Sequence, residues 1–235
     1  MEIALPPKRT SFLDPRPFPN FFLVIFVAMK NRKAFLLLNG AEPSLLPDLG
    51  SYQFICAADG AYNVLKSKDI APDLVVGDFD SIGAIPAAIE TVHRPDQNLT
   101  DFDKALALLK ERGFLNIDVY GASGKEHDHF LGNISTAIQW KDLLNITFFD
   151  DFGSYFFSEK TLELKAVKGK TISLIPFPTV HKIFTKGLAY PLQEETLTFG
   201  KRIGTRNKAI EDKVHISFES GDLLIYVGTL KKPLF

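Results

Sequence analysis

The chain has 235 residues, 46% of them hydrophobic, with a formal net charge of −1 and a single cysteine. That is enough apolar material for one large domain or two modest ones, and too much for a disordered chain. The balanced charge, with no cluster of Lys or Arg, excludes a polyanion-binding surface, so no nucleic-acid partner is expected. Cys56 has no partner for an internal disulfide, which fits a reducing, cytoplasmic setting, and it reads as a small buried apolar residue.

Residues 1–20 are rich in proline, carry Lys8, Arg9 and Arg16, and lead into the apolar stretch 21–28. That stretch is too short to cross a bilayer, so no membrane span is expected. A basic region, a short apolar region and Ala28 in that order imitate an export signal. Met29, however, is followed by Lys30-Asn31-Arg32-Lys33 and a strand-like run, so the folded chain reads as starting at Met29. Residues 1–28 are then an upstream extension or a misassigned start.

From residue 34 to about 150, short apolar runs of β type alternate with segments of helical period. This pattern predicts a doubly wound, mostly parallel α/β domain over 29–152. Strands are expected at 34–39, 53–57, 73–76, 117–121 and 145–149. A helix is expected over 101–112, with Phe102, Ala105, Leu106 and Leu109 inward, Thr100 and Asp103 as a capping box, and Gly113 as its stop. A second, over 129–140, turns Phe130, Ile134, Ala137 and Ile138 inward.

Beyond Asp151 the helical period disappears. Turn signals at Lys168-Gly169, Lys186-Gly187, Phe199-Gly200 and Ser220-Gly221-Asp222 separate stretches rich in Thr, Val, Ile and Phe. A smaller all-β domain, sandwich- or barrel-like, is expected over 158–235, ending in a hairpin of strands 214–218 and 223–227. Gly169-Lys170-Thr171 imitates the end of a P-loop, but Leu164 stands where its first glycine belongs, so it reads as a turn.

The chemistry lies in where the acidic residues fall. Asp59 follows the second predicted strand, Asp78 and Asp80 follow the third, and Asp128 lies beyond the strand that ends at Gly121. In an open α/β sheet, ligands bind at the carboxyl edge, where these residues converge. Asp96-Gln97-Asn98-Leu99-Thr100-Asp101 leads into a helix N-terminus, which favours anions. Gly121-Ala122-Ser123-Gly124-Lys125 can offer backbone N–H groups to a phosphate. Carboxylates meeting at one edge repel by up to about 4 kcal/mol per pair at an effective dielectric of about 20. Lys and Arg are scarce there, so divalent cations are the economical neutraliser, and oxygen-only donors favour magnesium over zinc. Magnesium of this kind completes its shell with substrate phosphates, which points to phosphoryl transfer. His127-Asp128-His129 is not read as a transition-metal site, because adjacent residues at a helix start point different ways. Asp103 is read as a cap.

Ala58-Asp59-Gly60-Ala61, Gly77-Asp78-Phe79-Asp80-Ser81, Pro95-Asp96-Gln97 with Thr100-Asp101, and Gly121-Ala122-Ser123-Gly124 with Asp128-His129 and Asn133 together resemble the thiamine pyrophosphokinase family. The resemblance covers roughly residues 34–227 and implies a homodimer whose α/β domain binds Mg-ATP and whose β domain shapes a thiamine pocket at the subunit interface. It implies Asp78, Asp80, Asp101 and Asp128 as catalytic carboxylates, the first three of them holding Mg2+. Asp59, Asp96, Gln97, Thr100, Gly121, Ser123, Gly124 and Lys125 are the candidates for the nucleotide, and Tyr190, Arg206 and Asn207 for the acceptor. The thiamine hydroxyl would attack the β-phosphorus of ATP, with Asp101 or Asp80 taking its proton. Three positions depart from the family pattern: Lys125-Glu126 replaces a Gly-Arg pair, Tyr190 stands for a Trp, and Arg206 precedes Asn207 where a Ser is usual. Another metal-dependent phosphotransferase or phosphohydrolase, and a thiamine- or nucleotide-sensing paralogue, remain the alternatives.

Overall fold

The computed structural model describes residues 32–79, 82, 87–94, 96 and 98–230; the extension over 1–28, and with it Asp80 and Gln97, lies outside them. The elements in chain order are β1 (Lys33–Leu37), β2 (Phe54–Ala58), α1 (Ala61–Ser67), β3 (Leu74–Gly77), β4 (Glu90–His93), α2 (Asp101–Glu111), β5 (Asn116–Tyr120), α3 (His127–Trp140) and β6 (Asn145–Asp150). Then come β7 (Gly153–Phe157), β8 (Thr161–Lys165), β9 (Thr171–Lys186), β10 (Glu195–Thr198), β11 (Gly204–Lys208), β12 (Lys213–Ser217) and β13 (Ser220–Gly228). The protein is strand-rich, with a mixed sheet and few helices.

The first half of the sheet, in the order β4-β3-β2-β1-β5-β6, is parallel throughout. Parallel strands are covered on both faces, which is why their sequences are near-continuous apolar runs. On one face Phe102, Ala105, Leu106 and Leu109 of α2 and Ile134 and Ala137 of α3 pack against Leu36, Cys56, Val76 and Val119. On the other, Ala61, Tyr62 and Leu65 of α1 pack against Phe35, Leu37, Ala57 and Val75. Losing one such leucine to alanine costs about 2–5 kcal/mol. Cys56 is fully buried, and burial pushes its thiol up to about 12, so it is inert at neutral pH.

α2 starts as its sequence requires, with the Thr100 side chain accepting from Asp103 N at 3.2 Å, and stops before Gly113 at φ +79°. The Asp103 carboxylate accepts from the Trp140 indole at 2.7 Å, tying α2 to α3. Two elements carry no sequence signal. α1 spans only seven residues, and β4 is a four-residue edge strand that is mostly exposed.

The ladder does not break where a domain boundary was expected, between 152 and 158. At the β6–β7 turn the Asp150 carboxylate accepts from Phe152 N at 2.8 Å and Gly153 N at 2.9 Å. β7 then pairs antiparallel with β6 on one side and β13 on the other, and Phe148 stacks on Tyr155 at 4.8 Å across the join. Past it, the 16-residue β9 organises everything that follows. It pairs with β11 and β13 over its first part, β10 over its middle and β12 at its end, curling around a core that includes Ile172, Leu174, Val180, Ile183, Leu197, Val214, Ile216 and Leu223.

β12 and β13 are strands, but not the expected hairpin. Ser217 pairs with Phe184 and Ser220 with His181, so the two run end to end in one register along β9. Opposite Ser220-Gly221-Asp222 it is β9 that carries extra residues, a bulge after which the register slips so that Asp222 meets Phe177. A long partner strand outcompetes the local turn. Gly221 has φ +100°, and a Cβ there would lie 2.0 Å from Thr179 O. Gly221→Ala is therefore expected to cost about 2–4 kcal/mol, read from urea denaturation followed by circular dichroism.

Candidate functional site

The strand order reverses between β1 and β5, and the loops that follow these two strands meet there. Leu38 N donates to Tyr120 O at 2.8 Å, Gly40 N to Gly121 O at 2.7 Å and Ala41 N to Ser123 O at 2.7 Å. The approach is so close that a Cβ on Gly121, at φ +66°, would stand 2.2 Å from Leu38 O. Lys125 Nζ crosses the seam to Asn39 O at 2.9 Å and Asn39 Oδ1 at 3.2 Å, and Asn133 Nδ2 donates to Ala122 O at 2.9 Å, fixing the loop to α3.

A cavity of about 740 Å³ opens over this seam, of the size that holds a small ligand. Its wall takes Asn39 and Gly40 from the end of β1, Asp59 from β2, Asp78 from β3, Thr100, Asp101 and Lys104 from the start of α2, Gly121, Ser123 and Lys125 after β5, and Glu126, Asp128, His129 and Asn133 from α3. Asp59 is buried at φ +40°, its N–H donating to Val76 O at 2.8 Å. Phe79, directly after Asp78, also has a positive φ of 64°, a strained backbone of the kind that gathers at functional sites. Asp101 Oδ1 accepts from Lys104 Nζ at 3.0 Å. Asp128 Oδ1 accepts from His129 N at 2.8 Å. Burial holds the Tyr155 hydroxyl well above its usual range, opposed by a hydrogen bond with Ser123.

Of the residues singled out from sequence, Asp59, Asp78, Thr100, Asp101, Gly121, Ser123, Lys125 and Asp128 line this one cavity. Asp80 and Gln97 lie outside the described residues. Asp96 and Gly124 are not among the lining residues. The Asp96 carboxyl is held below its usual range by hydrogen bonds to Oδ1 from Asn98 N and Asn98 Nδ2, both at 2.9 Å. Asn39, Gly40 and Lys104 are lining residues that sequence reasoning passed over. The first two sit at the carboxyl end of a predicted strand, so the rule that found Asp59 also reaches them. Lys104 is three residues after Asp101, a spacing that shares a helix face.

Tyr190, Arg206 and Asn207 do not line the cavity within this chain. They form a cluster of their own. Asn207 is buried, and its side chain clasps Tyr190 by both backbone groups, Nδ2 donating to Tyr190 O at 2.6 Å and Oδ1 accepting from Tyr190 N at 3.1 Å; Oδ1 also accepts from Lys208 N at 2.8 Å. This leaves the Tyr190 ring 75% exposed. Arg206 has φ +58° in the β11 bulge, with its N–H donating to Ser173 Oγ at 3.0 Å.

An acid-lined cleft at the reversal point of a parallel sheet, beside a glycine loop and a helix N-terminus, defines a phosphate-transferring enzyme of the nucleotide-dependent kind. Residues 49–148 match the family model for the thiamin pyrophosphokinase catalytic domain, and residues 159–223 that for the thiamin pyrophosphokinase vitamin B1 binding domain. The thiamin pyrophosphokinase 1 of Caenorhabditis elegans is 30% identical over 187 residues, covering 70% of this chain and 74% of that protein. The thiamine pyrophosphokinase of Bacillus subtilis is 29% identical over 214 residues, covering 84% of this chain and 99% of that protein. Its crystal structure superposes with a TM-score of 0.72 over 83% of this chain and 99% of that one. The chain belongs to the thiamine pyrophosphokinase family.

The clasp on Tyr190 generates a prediction. Asn207→Ala removes the buried side chain that accepts from two partly buried N–H groups and donates to Tyr190 O, and is expected to cost about 1–3 kcal/mol, measured as a lower urea midpoint with an unchanged slope.

Proposed function

We propose that this protein transfers the diphosphate of ATP to the hydroxyl of thiamine, forming thiamine diphosphate and AMP. The observation that carries this reading is the convergence of Asp59, Asp78, Asp101 and Asp128, from four separate segments, on one cavity beside the glycine loop. The thiamine oxygen forms a bond to the β-phosphorus while the bond from that phosphorus to the α,β-bridging oxygen breaks, and AMP leaves. The hydroxyl proton passes to a carboxylate, Asp101 or Asp80. Backbone N–H groups of the 121–124 loop and of the start of α2 orient the phosphates, and positioning supplies most of the rate.

The donor chemistry fits magnesium, because the lining carboxylates of Asp59, Asp78, Asp101 and Asp128 are oxygen ligands and magnesium is commonly held by one or two of these together with substrate phosphates. Asp78, Asp101 and, outside the described residues, Asp80 are the groups that would hold it. Bound there, magnesium would neutralise charge on the phosphates.

The family resemblance supports a division of labour in which residues 29–152 hold the nucleotide and 158–235, with Tyr190, hold thiamine. Because Tyr190, Arg206 and Asn207 do not line the cavity of their own chain, a homodimer that brings them to a partner's cavity completes the reading. A cytoplasmic location suits the unpaired Cys56; among the described residues no helix is long and apolar enough to cross a membrane.

The test is chromatography of the products after incubation with Mg-ATP and thiamine. AMP and thiamine diphosphate are expected in equal amounts, each requiring both thiamine and magnesium. Free phosphate or a nucleotidyl product would replace this reading with another phosphotransfer reaction. Asp78→Asn is expected to lower kcat by at least about 100-fold with an unchanged melting temperature.

A further inference from the structure

Lys104 occupies the first turn of α2, three residues after Asp101, and its side chain is only 5% exposed against 33% for Asp101. Two physical costs attach to that placement. A cation near a helix N-terminus opposes the helix dipole, and an ammonium removed from water loses hydration that a single partner replaces only in part. The second would not fall on a solvated lysine one position away. The other ammonium among the lining residues described, on Lys125, is exposed and already bonded to both Asn39 oxygens across the seam. Of the two ammonium groups among those residues, the one on Lys104 is the buried one that pairs with a cavity carboxylate. Its bond goes to Asp101 Oδ1 at 3.0 Å. A half-exposed aspartate on a first turn otherwise samples several rotamers, and a bond to one oxygen removes that freedom and leaves Oδ2 for whatever enters the cavity.

We propose that Lys104 is a positioning residue: its ammonium fixes Asp101 through Oδ1 so that Oδ2 is presented to the magnesium nucleotide, and Lys104 itself touches neither ATP nor thiamine. The inference rests on the diphosphokinase reading above for its ligand.

The test is a double-mutant cycle on binding, with magnesium and α,β-methylene ATP titrated by calorimetry into the full chain, Lys104→Met, Asp101→Asn and the double variant. Lys104→Met is expected to weaken binding about 10- to 100-fold, the range of a charge-assisted hydrogen bond, and to lower kcat with the thiamine KM unchanged. The double variant is expected to bind no worse than Asp101→Asn alone, because the two side chains act as one unit. Losses that multiply in the double variant would mean that Lys104 contacts the nucleotide directly and would overturn the proposal, as would normal binding by either single variant. Methionine fills the same slot, and Trp140 fluorescence on heating reports whether the fold survives. Should Lys104→Met not fold, Lys104→Gln enters the same cycle with the same expectations. Failure of the diphosphokinase reading shows separately, as absent AMP formation by the unmodified protein, while the binding cycle still reads the coupling of Lys104 to Asp101.

Discussion

Three backbone hydrogen bonds across the β1–β5 seam, from Leu38, Gly40 and Ala41 to Tyr120, Gly121 and Ser123, set the geometry of the cavity. They bring two loops so close that side chains are excluded between them, and the loops then diverge, leaving the space above. α3 begins where one of these loops ends, and Asn133 returns to bond it. Asp59 and Asp78 reach the same space because β2 and β3 are paired in parallel register beside β1. Shift that seam by one residue and the donors at the carboxyl edge would no longer share a target, since every strand side chain would change face.

The cavity carries more acid than base: Asp59, Asp78, Asp101, Glu126 and Asp128 face it, against the ammonium groups of Lys104 and Lys125. Folding gains nothing from such a collection. Like charges at one edge weaken the native state, and the strained backbone at Asp59 and Phe79 adds to that cost. The stability comes from elsewhere, from the two apolar layers over the parallel strands and from the curled core around β9. An acidic cleft repels bare polyphosphate and admits it more readily when cations come with it.

Much of this was legible in the sequence, and the exceptions have physical reasons. The parallel strands were readable because burial on both faces forces unbroken apolar runs, and α2 because Thr100, its inward apolar face and Gly113 all point to one helix. The convergence of Asp59, Asp78 and Asp128 followed from the rule about carboxyl edges, which depends on topology and not on side-chain detail, and Asp101 from its place at a helix N-terminus. α1 was illegible because seven residues span barely two turns, and β4 because Glu90, Thr91 and His93 are exposed and leave no apolar run. The pairing of β12 and β13 was misread because Ser-Gly-Asp fits a strand facing a bulge as well as a turn, and only the distant β9 decides between them. Lys104 was missed because lysine is ordinarily a surface residue, and its burial depends on an ion pair that sequence shows only as a spacing. The clasp of Asn207 on Tyr190 joins segments 17 residues apart and leaves no local trace.

The unbroken ladder through β7 has a mechanical meaning. Many enzymes that bind two substrates join their halves by a flexible linker and close like a jaw. Here the strand that leaves the parallel half of the sheet is itself the strand that enters the antiparallel half, hydrogen-bonded on both sides. Such a weld resists bending at the join, so the two halves of the chain are held at a fixed angle by main-chain geometry. Any tightening around a ligand in a molecule built this way falls to side chains and short loops instead of to the swing of one half against the other.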